Sequence, residues 1–526
     1  MTERAVYDQE VDVAVVGFGA AGAAAAIAAH DAGARVAIFE KMPDPGGLSI
    51  VSAGGIRIAF DSDAAFAYLR ETCGGRTPDD VLRVLADGMT DVADWVRELA
   101  AASDAVVKVT PAPGNYPLPG SGVLGYCEVI EVPAIEGAPS FHAVRGIRPG
   151  CRLFKVLEDN VRARGIPVHL GHAARRLVRD GTRVRGITVE TGDGRQIRVA
   201  ARRAVILACG GFEANAEMKR NFFQADPVLP ASFLGNTGDG IAMAQEAGAA
   251  LWHMWHYHGP YGFRHPDPAF PYGLYLKAIP MWHPGDPDST SDLGVVDQHG
   301  KPAGGKQLPR LAWILLDKTG RRFMDEYPPY PGDFGVRPLD LYDSKTQSFP
   351  RIPAHIVFDE AGRRMYPLGR CATNGRDGWY EWSQDNAREV ELGFFRRYES
   401  WEALARGIGV EPDTLTSQID SWNAACDLGH DDAYGRRPET MTALREPPFY
   451  VGQVWPMVIN TQGGPVRNVR QEIQDPFGDV IPRLYAAGEL GSVFGHLYLS
   501  GGNLAECMVG GRIAGREAAS LEAWRD

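Results

Sequence analysis

Residues 11–40, VDVAVVGFGAAGAAAAIAAHDAGARVAIFE, admit very few folds. The apolar run Val11, Val13, Val15, Val16 feeds into Gly17, Gly19 and Gly22. An alanine-rich helical segment follows, and a second apolar run, Val36 to Phe39, closes on Glu40. This is the pattern of a βαβ unit. The first glycine permits a tight turn, the second lets a pyrophosphate approach the backbone, and the third lets the helix pack closely on the strand. Phosphates would sit on the unpaired N–H groups at the helix N-terminus. Glu40, ending the second strand, is placed to hydrogen-bond a ribose hydroxyl. In a chain with 62 glycines a lone GxGxxG arises easily by chance. With both strands, the helix and the acid in register, the stretch reads as a dinucleotide site.

A chain of 526 residues exceeds one ordinary core, so at least two domains are expected. Its net charge of −12, with no local basic block, argues against nucleic acid and against an anionic membrane surface. The seven cysteines are scattered without a CxxC pair, which suits a reducing compartment and offers no zinc or disulfide framework; the expected location is cytoplasmic. Val13 to Ala29 is nearly free of polar groups, yet its glycines read as a buried strand and helix rather than an integral membrane segment.

Further along, the small residues and paired glycines of 46–55 imply backbone passing close to a flat ligand, or a tightly packed loop. Residues 79–101 carry apolar positions at helical spacing, and Gly114–Gly125 is a Pro/Gly loop carrying Tyr116. A helix is expected near Leu153–Arg164. Val168–Leu170, Leu177–Val178, Val184–Val189 and Ile197–Val199, punctuated by Asp-Gly at 180 and 193, read as a meander of hairpins. Ala204–Ala208 is a buried strand ending in glycines, back beside the nucleotide fold. The aromatic stretch 252–283 reads equally as a domain interface or as walls of an apolar pocket. Its histidines at 253, 256, 258 and 265 lack carboxylate partners at ligand spacing, so no metal is expected. Leu484–Glu489 is a strand ending in Gly488 and an acid, and residues 500–503 open a last helix. Composition divides the chain into a nucleotide-binding domain, 1–282 with 448–526, and an inserted cap, 283–447. The fold class is α/β, a Rossmann-type domain carrying an α+β cap.

Seven segments coincide with a known set: GFGAAG at 17–22 with Glu40, GGLSIVSAGG at 46–55, LACGGFEANAEM at 207–218, GNTGDG at 235–240, GRRFMDE at 320–326, LYAAGE at 484–489 and GGNLAECMVGGRIAG at 501–515. In that order, across nearly the whole chain, they resemble the flavoprotein superfamily of fumarate reductase and 3-ketosteroid dehydrogenase. The resemblance implies FAD. At the N-terminus it would lie on Gly17, Gly19, Ala20, Ala21, Gly22, Glu40 and Lys41, then on Gly47, Ser49, Gly54 and Gly55. Mid-chain contacts would come from Ala208, Gly210 and Asp239, and C-terminal ones from Gly488, Glu489, Gly502, Asn503 and Leu504.

The resemblance also sorts the branches. The family's proton-transfer residue stands four positions after the Glu of its GxRFxNE motif, Arg in fumarate reductases and Tyr in the ketosteroid branch; here it is Tyr330. Where dicarboxylate-reducing relatives keep His and Arg, this chain has Asn460 and Leu499. A desolvated dianion without such partners is unfavourable by several kcal/mol, on the order given for buried unpaired charge. Tyr498, followed four residues later by Gly502, matches the ketone-binding pair of the ketosteroid branch. Ser500 gives the TyrXaaSerGlyGly form closer to the 4-dehydrogenase, and Tyr116 resembles a further active-site tyrosine of the 1-dehydrogenases. The expected enzyme is an FAD-dependent desaturase of an apolar cyclic ketone. It would polarise the carbonyl with Tyr498 and the Gly502 N–H, accept the α proton on Tyr330 with help from Arg321 or Arg322, and pass hydride to the flavin. The positive end of the helix after Gly502 would meet negative charge on the reduced ring. No second GxGxxG unit is present, so electrons are expected to leave to an external acceptor: a quinone, oxygen or a protein. An ene reductase running the reverse direction and a flavin-binding subunit dependent on a partner protein are the alternatives.

Overall fold

The computed structural model describes residues 6–133, 135, 144–276, 310–328, 333, 336–376 and 378–525. Strand Gln9–Val16 lies in the middle of a sheet ordered 472–474, 480–486, 196–207, 9–16, 36–39, 168–169. Both of its neighbours run parallel to it, with Val15 opposite Ile38 on one side and Ile206 on the other. A parallel strand covered on both faces must be apolar throughout, which is why Val13 to Val16 are all buried.

The helix Ala20–Asp31 is fully enclosed from Ala20 to Ala29. Alanine serves there because the terminal helix, Gly502–Ser520, lies backbone to backbone against it. A Cβ on Gly511 would stand 2.7 Å from the Ala21 carbonyl oxygen, and one on Gly515 2.3 Å from that of Ala25. No larger side chain fits between the two helices. The two ends of the chain are thereby sealed together.

The expected helices occur at Asp79–Ala100 and Pro149–Ala163. The meander is an antiparallel run of Ala173–Asp180, Arg183–Glu190 and Gln196–Leu207, turning at Gly181 and Gly194, both at positive φ. Two corrections concern its ends. Val168–His169 leaves it to pair in parallel with Ile38 and Phe39 at the edge of the main sheet. The runs at 197–199 and 204–208 belong to one long strand that serves meander and nucleotide fold in succession. Among the described residues no helix is long and apolar enough to cross a membrane.

A second sheet is ordered 313–316, 354–358, 449–458, 261–264, 273–276, 369–371, and strands 229–230 and 395–398 also pair with Phe449–Val458. The boundaries expected at 282/283 and 447/448 fall inside this sheet, whose central strand lies beyond the second of them. Composition changes along a chain where loops change character, whereas domain membership follows pairing between distant segments. The GRRFMDE segment proves to be the cap's internal tie. Arg322 donates to both Glu326 oxygens (3.0 and 2.7 Å) and to both Asp431 oxygens (3.2 and 3.1 Å). Arg436 donates to Glu326 (3.3 Å), and the Leu315 N–H does so as well (3.1 Å). Both guanidinium groups lie over the Trp422 ring. This corrects the part expected of Arg322 beside Tyr330: the guanidinium is wholly engaged in the cap's core, and Arg321 is exposed.

Candidate active site

A cleft of about 710 Å³ opens along the carboxyl ends of the parallel strands, where open α/β sheets bind ligands. It is lined by Gly17 to Ala21, Glu40 to Met42, Gly47 to Ser49, Ala208 to Gly210, Asn236, Asp239, Ala487, Glu489 and Cys507. Gly17 sits at φ +101° with its would-be Cβ 2.5 Å from the Ala208 oxygen, and a Cβ on Gly22 would lie 2.0 Å from the Gly17 oxygen. Packing alone requires these two glycines. Gly19 differs: its φ of −95° suits any residue, and a Cβ there would meet nothing closer than Ser49 Oγ at 3.4 Å. Glycine at that position leaves the helix N-terminus open to a ligand, the fit a pyrophosphate requires.

Around this cradle the cleft is built by polar ties. Glu40, buried and raised by that burial, accepts the Phe18 N–H (2.7 Å) and the Met42 N–H (2.8 Å), so it holds the glycine turn as well as facing the cleft. Ser49 Oγ accepts the Ala20 N–H (3.0 Å), and Lys41 reaches Asp239 (2.5 Å) and Thr237 (2.6 Å). Glu489 accepts the Thr461 N–H (2.9 Å) beside Glu213, which accepts from Asn236 (2.7 Å). Burial raises both acids, and the charge of Glu489 raises Glu213 further. Glu213 was not foreseen, since one acid inside a glycine-rich strand exit carries no pattern. Gly54 and Gly55 are explained by contact with Pro149 and Tyr126, and Gly488 packs on Ala21. Neither Gly54, Gly55 nor Gly488 lines the cleft.

The terminal helix begins at Gly502 behind Gly501 at φ +77°. The Gly502 N–H donates to the Leu499 carbonyl at 2.6 Å. That tight turn removes it from the ketone oxygen expected of it. The backbone N–H groups of Asn503 and Gly501 instead face the Tyr498 hydroxyl. Burial raises that phenol above its usual range, and these N–H groups oppose the shift. Leu504 forms part of the apolar core beneath. The Asn503 side chain joins Asn460, Gln462 and Glu506. Ser500 turns its N–H to Asn115 (2.8 Å) and its carbonyl to Arg57 (2.9 Å), a structural role.

Tyr116 and Tyr498, from opposite ends of the chain, meet on one group that was not foreseen. The Tyr116 hydroxyl donates to Asp333 Oδ2 (2.5 Å), and the Tyr498 N–H donates to the same oxygen (3.1 Å). Arg337 donates to Oδ1 (3.1 Å), and His256 Nε2 stands 3.8 Å from it. Burial alone would raise the Asp333 carboxyl; His256, Arg337 and Tyr116 more than offset this and hold it well below the usual carboxylate range. His258 packs its ring 4.2 Å from that of Tyr498, hydrogen-bonds Asn460 (3.0 Å), and is pushed by burial down to about 4. The aromatic stretch thus supplies the seam between the two sheets as far as residue 276. Among the described residues no group of side chains could hold a metal ion. Tyr330 and Trp282 lie outside the described residues.

Residues 12–260 and 293–504 match the FAD binding domain family. The chain belongs to this family. Its cofactor is FAD, and it is an oxidoreductase of the ketosteroid dehydrogenase and fumarate reductase group. It is 26% identical to the digoxin reductase of Eggerthella lenta over 98% of this chain and 88% of that one. It is 25% identical to the 3-oxosteroid 1-dehydrogenase of Mycolicibacterium smegmatis over 98% of both. In fold it is similar to the 3-ketosteroid delta1-dehydrogenase of Sterolibacterium denitrificans, solved with 1,4-androstadiene-3,17-dione: TM-score 0.78 at 21% identity, covering 97% of this chain and 100% of that one.

The cradle at Gly19 leads to an expected result. Gly19→Val fills the space beside Ser49 Oγ without straining the backbone, so the protein should fold and purify colourless. A yellow, stoichiometrically flavinated variant would place the pyrophosphate elsewhere.

Proposed function

We propose that the enzyme removes hydrogen from two adjacent carbons beside the ketone of an apolar cyclic substrate, with a 3-ketosteroid as the leading class. One observation carries the reading: the cationic groups described beside Tyr498 are already engaged, the buried Arg57 by the Ser500, Ala112 and Pro113 carbonyls, Asn115 and Tyr126. Arg337 is neutralised by Asp333, His258 is neutral above about pH 4, and Asn460 and Leu499 stand where relatives that bind dicarboxylates keep His and Arg.

The Tyr498 hydroxyl donates its hydrogen to the substrate carbonyl. Donation there stabilises the charge that develops on oxygen as the α proton leaves. On the family resemblance, Tyr330 accepts that proton. FAD held in the cleft would supply the two-electron oxidation at the neighbouring carbon.

Anaerobic addition of saturated ketones to the oxidised enzyme tests the reading: a 3-ketosteroid should bleach the flavin band. If only dithionite-reduced enzyme is turned over, and only by an activated alkene, the reductase direction holds instead. The likeness to digoxin reductase favours that second reading. Fumarate should reoxidise the reduced enzyme no faster than buffer, and rapid reoxidation would overturn the neutral-substrate proposal.

A further inference from the structure

Asp333 lies in YPGDFGVR, a stretch without periodicity or motif, yet three segments distant in sequence converge on its carboxylate. One oxygen receives both the Tyr116 hydroxyl and the Tyr498 backbone N–H. The other receives Arg337, which also donates to the His496 carbonyl and so ties the carboxylate to the segment leading into Tyr498. Asp333 and Tyr116 are each only 1% exposed, so water does not compete for these bonds.

We infer that Asp333 is a positioning residue that commits the Tyr116 hydroxyl as its donor, leaving that phenol's oxygen as an acceptor, and that holds the Tyr498 backbone beside it. A phenol carries one hydrogen. That of Tyr116 is committed to Asp333, so any further partner of its oxygen must donate to it. That assignment cannot reverse while the carboxylate is ionised, because an ionised carboxylate accepts only. Losing hydrogen beside a ketone needs both polarities together, a donor at the carbonyl oxygen and acceptors along the path of the departing proton. Arg337 and His256 keep the carboxylate charged in a buried place, and without them it would take up a proton and free Tyr116 to rotate.

The inference rests on the ketone-desaturase reading for its consequence, but not for its geometry. Asp333→Asn turns its amide donor either to Tyr116, reversing that phenol's polarity, or to Arg337, leaving Tyr116 only an uncharged and weaker acceptor, so the charged acceptor is lost in both orientations. In flavin-loaded protein, the rate of anaerobic flavin reduction at saturating ketone should fall by about tenfold or more. The ketone Kd should stay within about threefold, the split expected when only transition-state interactions are lost. Tyr116→Phe should fall similarly, and the double variant should be no slower than the slower single one, since both changes remove one arrangement. An unchanged reduction rate in folded Asp333→Asn, or losses that multiply in the double variant, would overturn the inference.

If Asp333→Asn does not retain flavin, the Raman difference between the unaltered protein and Tyr116→Phe decides. A tyrosine Fermi doublet of strong-donor type supports the assignment, and one of acceptor type ends it. That spectrum needs no substrate. A donor-type doublet in an enzyme that no ketone bleaches would sink the substrate proposal while leaving Asp333 in its role.

Discussion

Tyr498→Phe should purify yellow and fail to turn over. The hydroxyl sits where the terminal helix begins, facing the N–H groups of Asn503 and Gly501, and it makes no contact on which the fold depends. The ring, which carries the packing against His258 and Phe494, is unchanged in phenylalanine. FAD content and unfolding should therefore match the unaltered protein. Removing one donor from a developing oxyanion raises the barrier by about 2.7–4 kcal/mol, a loss of roughly 10²–10³ in kcat. Stopped-flow reduction by a saturated ketone measures it directly. Exchange of the α hydrogens with deuterated water should slow in parallel, because the same hydrogen bond stabilises the enolate. A variant that reduces its flavin at the normal rate would mean that the carbonyl is polarised by another group.

The second large effect belongs to stability. Glu326 accepts from Arg322, Arg436 and the Leu315 N–H with no solvent access, and Asp431 is the other carboxylate that Arg322 pairs with. Glu326→Ala would leave two guanidinium groups buried against one carboxylate. Stranding a buried charge typically costs about 3–5 kcal/mol, and the Leu315 N–H would lose its acceptor too. Trp313 and Trp422 report on this region, so denaturant unfolding followed by tryptophan fluorescence should show the cap transition at much lower denaturant. A midpoint shift equivalent to less than about 1 kcal/mol, the scale of an exposed pair, would show that water reaches the network. FAD should be less affected, since its cleft is built from the other sheet.

These two residues show how differently parts of the molecule could be read in advance. The glycines of residues 17–22, the alanine helix and the acid at 40 announce themselves because a βαβ turn is a local pattern, although Gly17 also packs on Ala208 and the alanines on the terminal helix. The same holds for the helix 79–100 and for the Asp-Gly hairpins. Glu326 was visible as part of a motif but not as a buried ion-network centre, because its partner Arg436, and Asp431, which shares Arg322 with it, arrive from more than a hundred residues away. Val168–His169 was misassigned to the meander for the same reason, its partner being the strand at 36–39.

What the amino-acid order determined by itself was the nucleotide fold and the FAD, since turn glycines and strand alternation are properties of position in the chain. Only the tertiary structure decided the rest. It paired the strands at 229–230 and 449–458 in one sheet, spent the Gly502 N–H on Leu499, and set Tyr116 and the Tyr498 N–H on one carboxylate. Hydrogen-bond polarity depends on which donor meets which acceptor after residues hundreds of positions apart are brought into contact, and no local pattern encodes that meeting.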